Sequence, residues 1–322
     1  MTEPCHANLP TALQADIECT SLALELDDGY VTPMYRIRPA CGLSTRTVVY
    51  VHGIQSHPGW FVGSCQALAK AGCEVFAPTR RGSGENAISR GDCRGYRQLL
   101  DDVECAVRFA LAHSGRAAAA MVGVSWGGKL ATLYCLERSA ADERPSAIDS
   151  LVLVAPGIAA QVRVPLRTRL AVALAVILQP GRRFDIPLSD PALFTDNPAM
   201  REYLKTDPHR LHQATARFLL HSAIMDVRLR RSVGSRWHSL SRLCSAGPKP
   251  RAVTLQTPTT LLLAARDRII DNAATRRAVE RLTAGQANVV ELPAAHTMDF
   301  EPEPKPFYDA LTRAVSPHET RD

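Results

Sequence analysis

Residues 121–131, MVGVSWGGKLA, hold two incompatible chemistries. Gly123-x-Ser125-x-Gly127 is the spacing of a tight strand-to-helix turn that presents a serine hydroxyl to a carbonyl carbon. Gly123-x-x-x-x-Gly128-Lys129-Leu130 is one residue away from a loop that cradles phosphates. A phosphate loop needs Ser or Thr after its lysine to hold magnesium, and Leu130 offers no oxygen. Such a loop also normally follows the first strand of its domain, whereas several predicted strands precede this one. The serine turn instead needs small residues two positions either side, because a Cβ there would meet neighbouring backbone. Gly123 and Gly127 supply them, and Gly128 adds clearance.

A serine hydroxyl is a weak nucleophile and requires a base, which in turn requires an acid to fix its tautomer. In this type of turn the chain order is serine, acid, histidine. Asp267 follows the predicted strand in TTLLLAARD, and His296 follows the last predicted strand, in NVVELPAAH. A phosphate site could use Asp267 as a magnesium carboxylate but has no task for His296. Asp271 and Asp299 compete for the acid's place, yet Asp271 is better placed to cap the helix that follows it. Acyl transfer also needs N–H donors for a developing oxyanion. Trp126, first in its helix, provides one; Ile54, in VVYVHGIQSHPGW, is assigned the other, with Gln55 N–H the alternative. His52 and His57 read as braces of that loop, and Lys129 has no catalytic task.

These side chains must be positioned by regular elements. Strands are predicted in 20–39 (two, around Asp-Asp-Gly), 45–53, the end of 65–80, 117–125, 148–156, 259–267 and 288–296. Helices are predicted at the start of 65–80, over 96–113, after Ser125, over 271–283 and around PFYDALTRAV. Alternating strands and helices imply a mainly parallel sheet with helices on both faces. The rhythm breaks at 157–250, which lacks a strong strand signal and carries helical patterns such as PHRLHQATARFLLHSAI. The expected organisation is a core of 1–156 and 251–322 with a helical cap insertion at 157–250.

With 46% hydrophobic and 22% charged residues among 322, the chain is ordinary for a core-burying protein. Its net charge of +6 is uneven: 157–250 holds fifteen Lys/Arg against six Asp/Glu. A solvated surface explains that excess more simply than nucleic acid does, and no nucleic-acid partner is expected; the arginines at 228, 230, 231 and 236 leave weak contact with an anionic membrane surface open. The run LAVALAVIL at 170–178 is too short to span a bilayer and reads as a buried or interfacial helix. Nine cysteines without regular spacing suggest neither metal site nor disulfide framework, which fits a reducing, cytoplasmic setting. No apolar signal core opens the chain.

HGIQSHPGW, RRGSGEN with a later RGD, GVSWGGKLA, AARD and ELPAAH occur in an order that resembles the α/β-hydrolase superfamily, in its monoacylglycerol lipase and lysophospholipase branch. The resemblance spans roughly 45–300. It implies an eight-stranded sheet, a helical cap over the serine, and cofactor-free hydrolysis of carboxylic esters. It further implies Ser125 as nucleophile, Asp267 as acid, His296 as base, and Ile54 and Trp126 as oxyanion donors. Two positions depart from the family: Thr79 stands where Asp is common, and Trp126 where Met or Gln is. Thioesterase, amidase or peptidase, and acyltransferase chemistry would use the same residues; a non-catalytic ligand receptor or a nucleotide-binding protein would not need them all.

Overall fold

The computed structural model describes residues 13–139, 147–162, 164–232 and 254–316. Arg236 and the expected boundary at 250–251 lie outside them. The chain opens with two antiparallel strands, β1 (Ile17–Glu25) and β2 (Val31–Pro39), joined where Gly29 takes a positive φ of 77°. β3 (Arg46–Val51), α1 (Val62–Lys70), β4 (Cys73–Pro78), α2 (Tyr96–Ser114), β5 (Ala119–Val124), α3 (Trp126–Ser139) and β6 (Ile148–Val154) follow. Then come α4 (Leu166–Leu178), β7 (Arg183–Asp185), α5 (Pro198–Thr206), β8 (Gln213–Thr215) and α6 (Ala216–Ser232). β9 (Thr259–Ala264), α7 (Asn272–Leu282), β10 (Asn288–Leu292) and α8 (Lys305–Val315) complete it.

The eight-stranded sheet runs β1-β2-β4-β3-β5-β6-β9-β10, with every neighbour from β4 to β10 parallel. β5 (AAMVGV) and β9 (TTLLLA) are buried at every position, as central parallel strands covered on both faces must be. α1 packs with α8, and α2 with α3, in the helical layers that cover the sheet. The helix ends follow local chemistry. Gly115 closes α2 in the left-handed region at φ 66°, and Asp271 opens α7 by accepting the Ala274 N–H at 2.9 Å. Asp271 thus has the capping task its sequence position suggested.

Between β6 and β9 the structure differs from the sequence reading in one respect. PHRLHQATARFLLHSAI is helical only from Ala216; Gln213–Thr215 is extended and pairs antiparallel with Arg183–Asp185. Thr215 stops the helix from reaching further back. Its Oγ1 accepts the Phe218 N–H (3.1 Å) and donates to Asp92 (2.6 Å), while its own N–H goes to Gly91 C=O (2.9 Å). Pairs of three residues carry no alternation signal, so no pattern could reveal them. α6 packs on α2, α3 and α4 and so sits over the start of α3.

Candidate active site

The turn between β5 and α3 is built as its glycines require. Ser125 has φ 52°, in the left-handed region that a non-glycine residue enters only under strain. A Cβ on Gly127 would sit inside van der Waals contact of the Val51 and His52 carbonyl oxygens. A Cβ on Gly123 would lie 2.8 Å from Gly128 Cα and 2.9 Å from Ala131 Cβ. The first turn of α3 therefore presses against the end of β3. The loop after β3 lies directly over the serine: a Cβ on Gly53 would be 3.3 Å from Ser125 Cβ.

The strand ends bring the other groups to the same edge of the sheet. His296 Nε2 lies 2.9 Å from Ser125 Oγ, and His296 Nδ1 lies 2.8 Å from Asp267 Oδ2. Both side chains of the His296–Asp267 pair are buried. Asp267 Oδ1 accepts the N–H groups of Ile269 and Ile270, each at 2.8 Å, which leaves Oδ2 for the imidazole. The backbone around His296 is pinned on both sides: Ala295 N–H donates to Glu301 (2.6 Å), and Thr297 N–H to Phe194 C=O (2.8 Å). The Phe194 ring meets the imidazole edge-on at 6.0 Å. Asp299, the other rival, accepts the Ser64 N–H instead (2.8 Å), at the start of α1. Burial pushes its carboxyl up to about 7.

Among the described residues, neither the Ile54 nor the Trp126 N–H donates to a protein acceptor. Trp126 N–H is in the first turn of α3, where the helix leaves donors unused and the backbone dipole favours negative charge. The arrangement can withdraw a proton from Ser125 and hold a negative oxygen beside it.

The histidines and lysine with no expected catalytic task are braces. His52 Nδ1–H donates to Gly53 C=O (2.9 Å), and its Nε2 accepts the Arg80 N–H (2.9 Å). Burial, reinforced by the Arg80 charge, holds the His52 imidazole well below its usual range. His57 Nδ1 accepts the Gly59 N–H (3.2 Å), and its Nε2–H donates to Asp207 (3.1 Å), which also takes the Trp60 indole N–H (2.7 Å). Burial alone would raise Asp207, but these hydrogen bonds outweigh it and hold the carboxyl down at about 2. Lys129 pairs with Asp226 of α6 at 2.5 Å, beside a hydrogen bond from the Trp126 indole to Ser222 (2.9 Å). Two neighbours of the site, Asp207 and Arg210, had no sequence signal, and Arg80 lay in the quoted RRGSGEN motif without an assigned task. Arg210 donates twice to Gln55 Oε1 (3.2 and 2.9 Å), while Leu211 N–H donates to Gln55 C=O (2.9 Å). Gln55 is thereby committed to the inserted segment.

A family model described as Hydrolase_4, serine aminopeptidase S33, matches residues 44–303. A monoacylglycerol lipase of Mycolicibacterium smegmatis is 24% identical over 277 residues, covering 84% of this chain and 88% of that protein. The crystal structure of a Paleococcus ferrophilus monoacylglycerol lipase matches with a TM-score of 0.70 at 20% identity, over 88% of this chain and 98% of that one. A soluble variant of monoglyceride lipase from Saccharomyces cerevisiae, in complex with a substrate analog, matches with a TM-score of 0.76 at 18% identity, over 97% and 99%. At these identities the structural matches establish the α/β-hydrolase fold.

Proposed function

The chain belongs to the Hydrolase_4 family, serine aminopeptidase S33, and from that premise we propose that it cleaves carboxylic esters with an apolar acyl part through an acyl-enzyme. One observation carries the reading: an unbroken hydrogen-bond chain from Ser125 through His296 to Asp267, beside two unengaged N–H groups. His296 Nε2 takes the Ser125 proton as Oγ attacks the ester carbonyl. Asp267 holds the proton on Nδ1 and stabilises the imidazolium, and the Ile54 and Trp126 N–H groups bind the tetrahedral oxyanion. His296 then gives its proton to the leaving alcohol. A water, deprotonated by His296, attacks the acyl carbon and releases the acid. No cofactor or metal takes part in these steps. Gly123 and Gly127 act only by making room for the turn. The relative named as a monoacylglycerol lipase supports a monoacylglycerol-like substrate, and a lysophospholipid-like one rests on the motif resemblance alone.

The test is Ser125→Ala, which should abolish p-nitrophenyl ester turnover and fluorophosphonate labelling; labelling that survives in this variant defeats the assignment. The family description names an aminopeptidase, so an amide substrate is the second reading. Rates on matched acyl esters, thioesters and aminoacyl anilides separate the two. A nucleotide site has little support, since Leu130 is buried in the core.

The described part of 157–250 acts, in this reading, as a cap: Phe194, Arg210 and Ser222 all reach the site from it. α4 supports contact with a membrane surface. Leu166, Leu170, Leu174, Ile177 and Leu178 are exposed along one stripe, with exposed Arg167, Arg169, Arg182 and Arg183 near its ends. No described helix is long and apolar enough to cross a bilayer. A cytoplasmic setting is supported by described cysteines that form no disulfide.

A further inference from the structure

Arg80 has no task in the acyl-transfer scheme, yet it touches both residues that supply the oxyanion donors. Its Nη2–H donates to Ile54 C=O at 2.8 Å. Its guanidinium lies over the Trp126 ring, 5.1 Å from the centroid, and over Phe218 at 5.3 Å. Its backbone N–H holds His52 Nε2, and His52 Nδ1–H holds Gly53 C=O.

These contacts decide where the Ile54 N–H points. Gly53 C=O and Ile54 N–H belong to one planar trans peptide, so fixing the carbonyl fixes the N–H on the opposite side. The next peptide is fixed through Ile54 C=O. Arg80 therefore bears on Ile54 from both directions, by its main chain through His52 and by its side chain directly. The cation–π contact ties the same guanidinium to Trp126, whose N–H is the other donor.

Stability does not explain the placement. The side chain is buried, donates to no carboxylate among the described residues, and leaves Nε without an acceptor. Burial lowers the guanidinium to about 10. A buried cation without a paired carboxylate is expensive, and an apolar side chain could fill the same space. A flat guanidinium with several donors can hold Ile54 C=O while lying over the Trp126 ring.

We propose that Arg80 is a positioning residue that sets the oxyanion hole by holding Ile54 and Trp126 in register. The proposal rests on the serine-hydrolase reading above. The test is steady-state kinetics of Arg80→Lys and Arg80→Met on a soluble p-nitrophenyl ester, with active sites counted by fluorophosphonate labelling carried to completion. A misplaced donor lowers kcat per site by about 100-fold, with KM within about threefold because ground-state contacts are unchanged. Affinity for a trifluoromethyl ketone, which forms a tetrahedral adduct with the serine, falls in step with kcat/KM. Affinity for the product acid does not. A residue that only supports the fold would lower the melting temperature and the number of active sites, leaving kcat per site intact; that result overturns the proposal. If Arg80→Met does not fold, Arg80→Lys decides alone, since it keeps the charge but lacks the planar fork. Ser125→Ala separates the two levels. Activity surviving there removes the hydrolase reading, whereas an inactive Ser125→Ala with wild-type kcat in Arg80→Lys removes only the role of Arg80.

Discussion

Asp267→Asn tests the relay because the surroundings of the carboxylate dictate which way an amide must turn. Asp267 Oδ1 accepts two backbone N–H groups, from Ile269 and Ile270, and Oδ2 faces His296 Nδ1. An Asn side chain can keep its oxygen on the two N–H groups only by aiming its NH2 at the imidazole. Nδ1 must then accept, the proton moves to Nε2, and Nε2 can no longer take the Ser125 proton. The opposite orientation restores the tautomer but sets the NH2 against two backbone donors. It leaves two backbone N–H groups without an acceptor, each costing about 1–3 kcal/mol, or roughly 2–6 kcal/mol together. The productive orientation would then form about 30- to 10⁴-fold less often than the trapped one, and kcat should fall by that factor. Stopped-flow acylation with a p-nitrophenyl ester reads the step directly, and thermal denaturation confirms that the variant is folded. A folded Asp267→Asn enzyme that acylates within about tenfold of wild type would refute the reasoning, because either the two N–H donors do not hold Oδ1 or the imidazole is not the base.

Three further outcomes are expected. Gly127→Ala drives a methyl into the Val51 and His52 carbonyls; it should destabilise the fold by about 1–3 kcal/mol and suppress fluorophosphonate labelling, as read by thermal denaturation and gel fluorescence. Leu170→Glu with Leu174→Glu, both on the exposed stripe of α4, should abolish co-sedimentation with anionic vesicles and leave hydrolysis of a soluble short-chain ester unchanged. Asp299, lifted by burial from 3.8 to about 7, favours the folded state fully below about pH 4, and that contribution is lost as the pH rises through about 7. The melting temperature of the wild type should therefore fall relative to Asp299→Asn across that window, and parallel curves would count against it.

The turn at Ser125 was readable because it is written locally. A glycine two positions either side of a serine is a steric requirement of one turn, and the chain takes that turn with the strained φ of Ser125. Asp267 and His296 were readable because parallel strands deliver their C-terminal ends to one edge, so a polar residue just past a strand is already half placed. Asp271 was separable from Asp267 for an equally local reason, since a helix start consumes its carboxylate. The boundary at Ala216 was not readable. Thr215 stops the helix through Asp92 and Gly91, partners far away in the chain.

What the sequence determined by itself was the order of strands and helices outside the inserted segment, the turn around Ser125, and the candidates that could serve it, because periodicity and backbone sterics act over a few residues. What only the tertiary structure decided was the setting of those groups. Arg80 lies against Ile54 and Trp126, Arg210 reaches Gln55, and Asp226 pairs with Lys129 only once separate segments pack together. Buried charge finds its partner through space, and nothing in the neighbouring residues records where that partner will be.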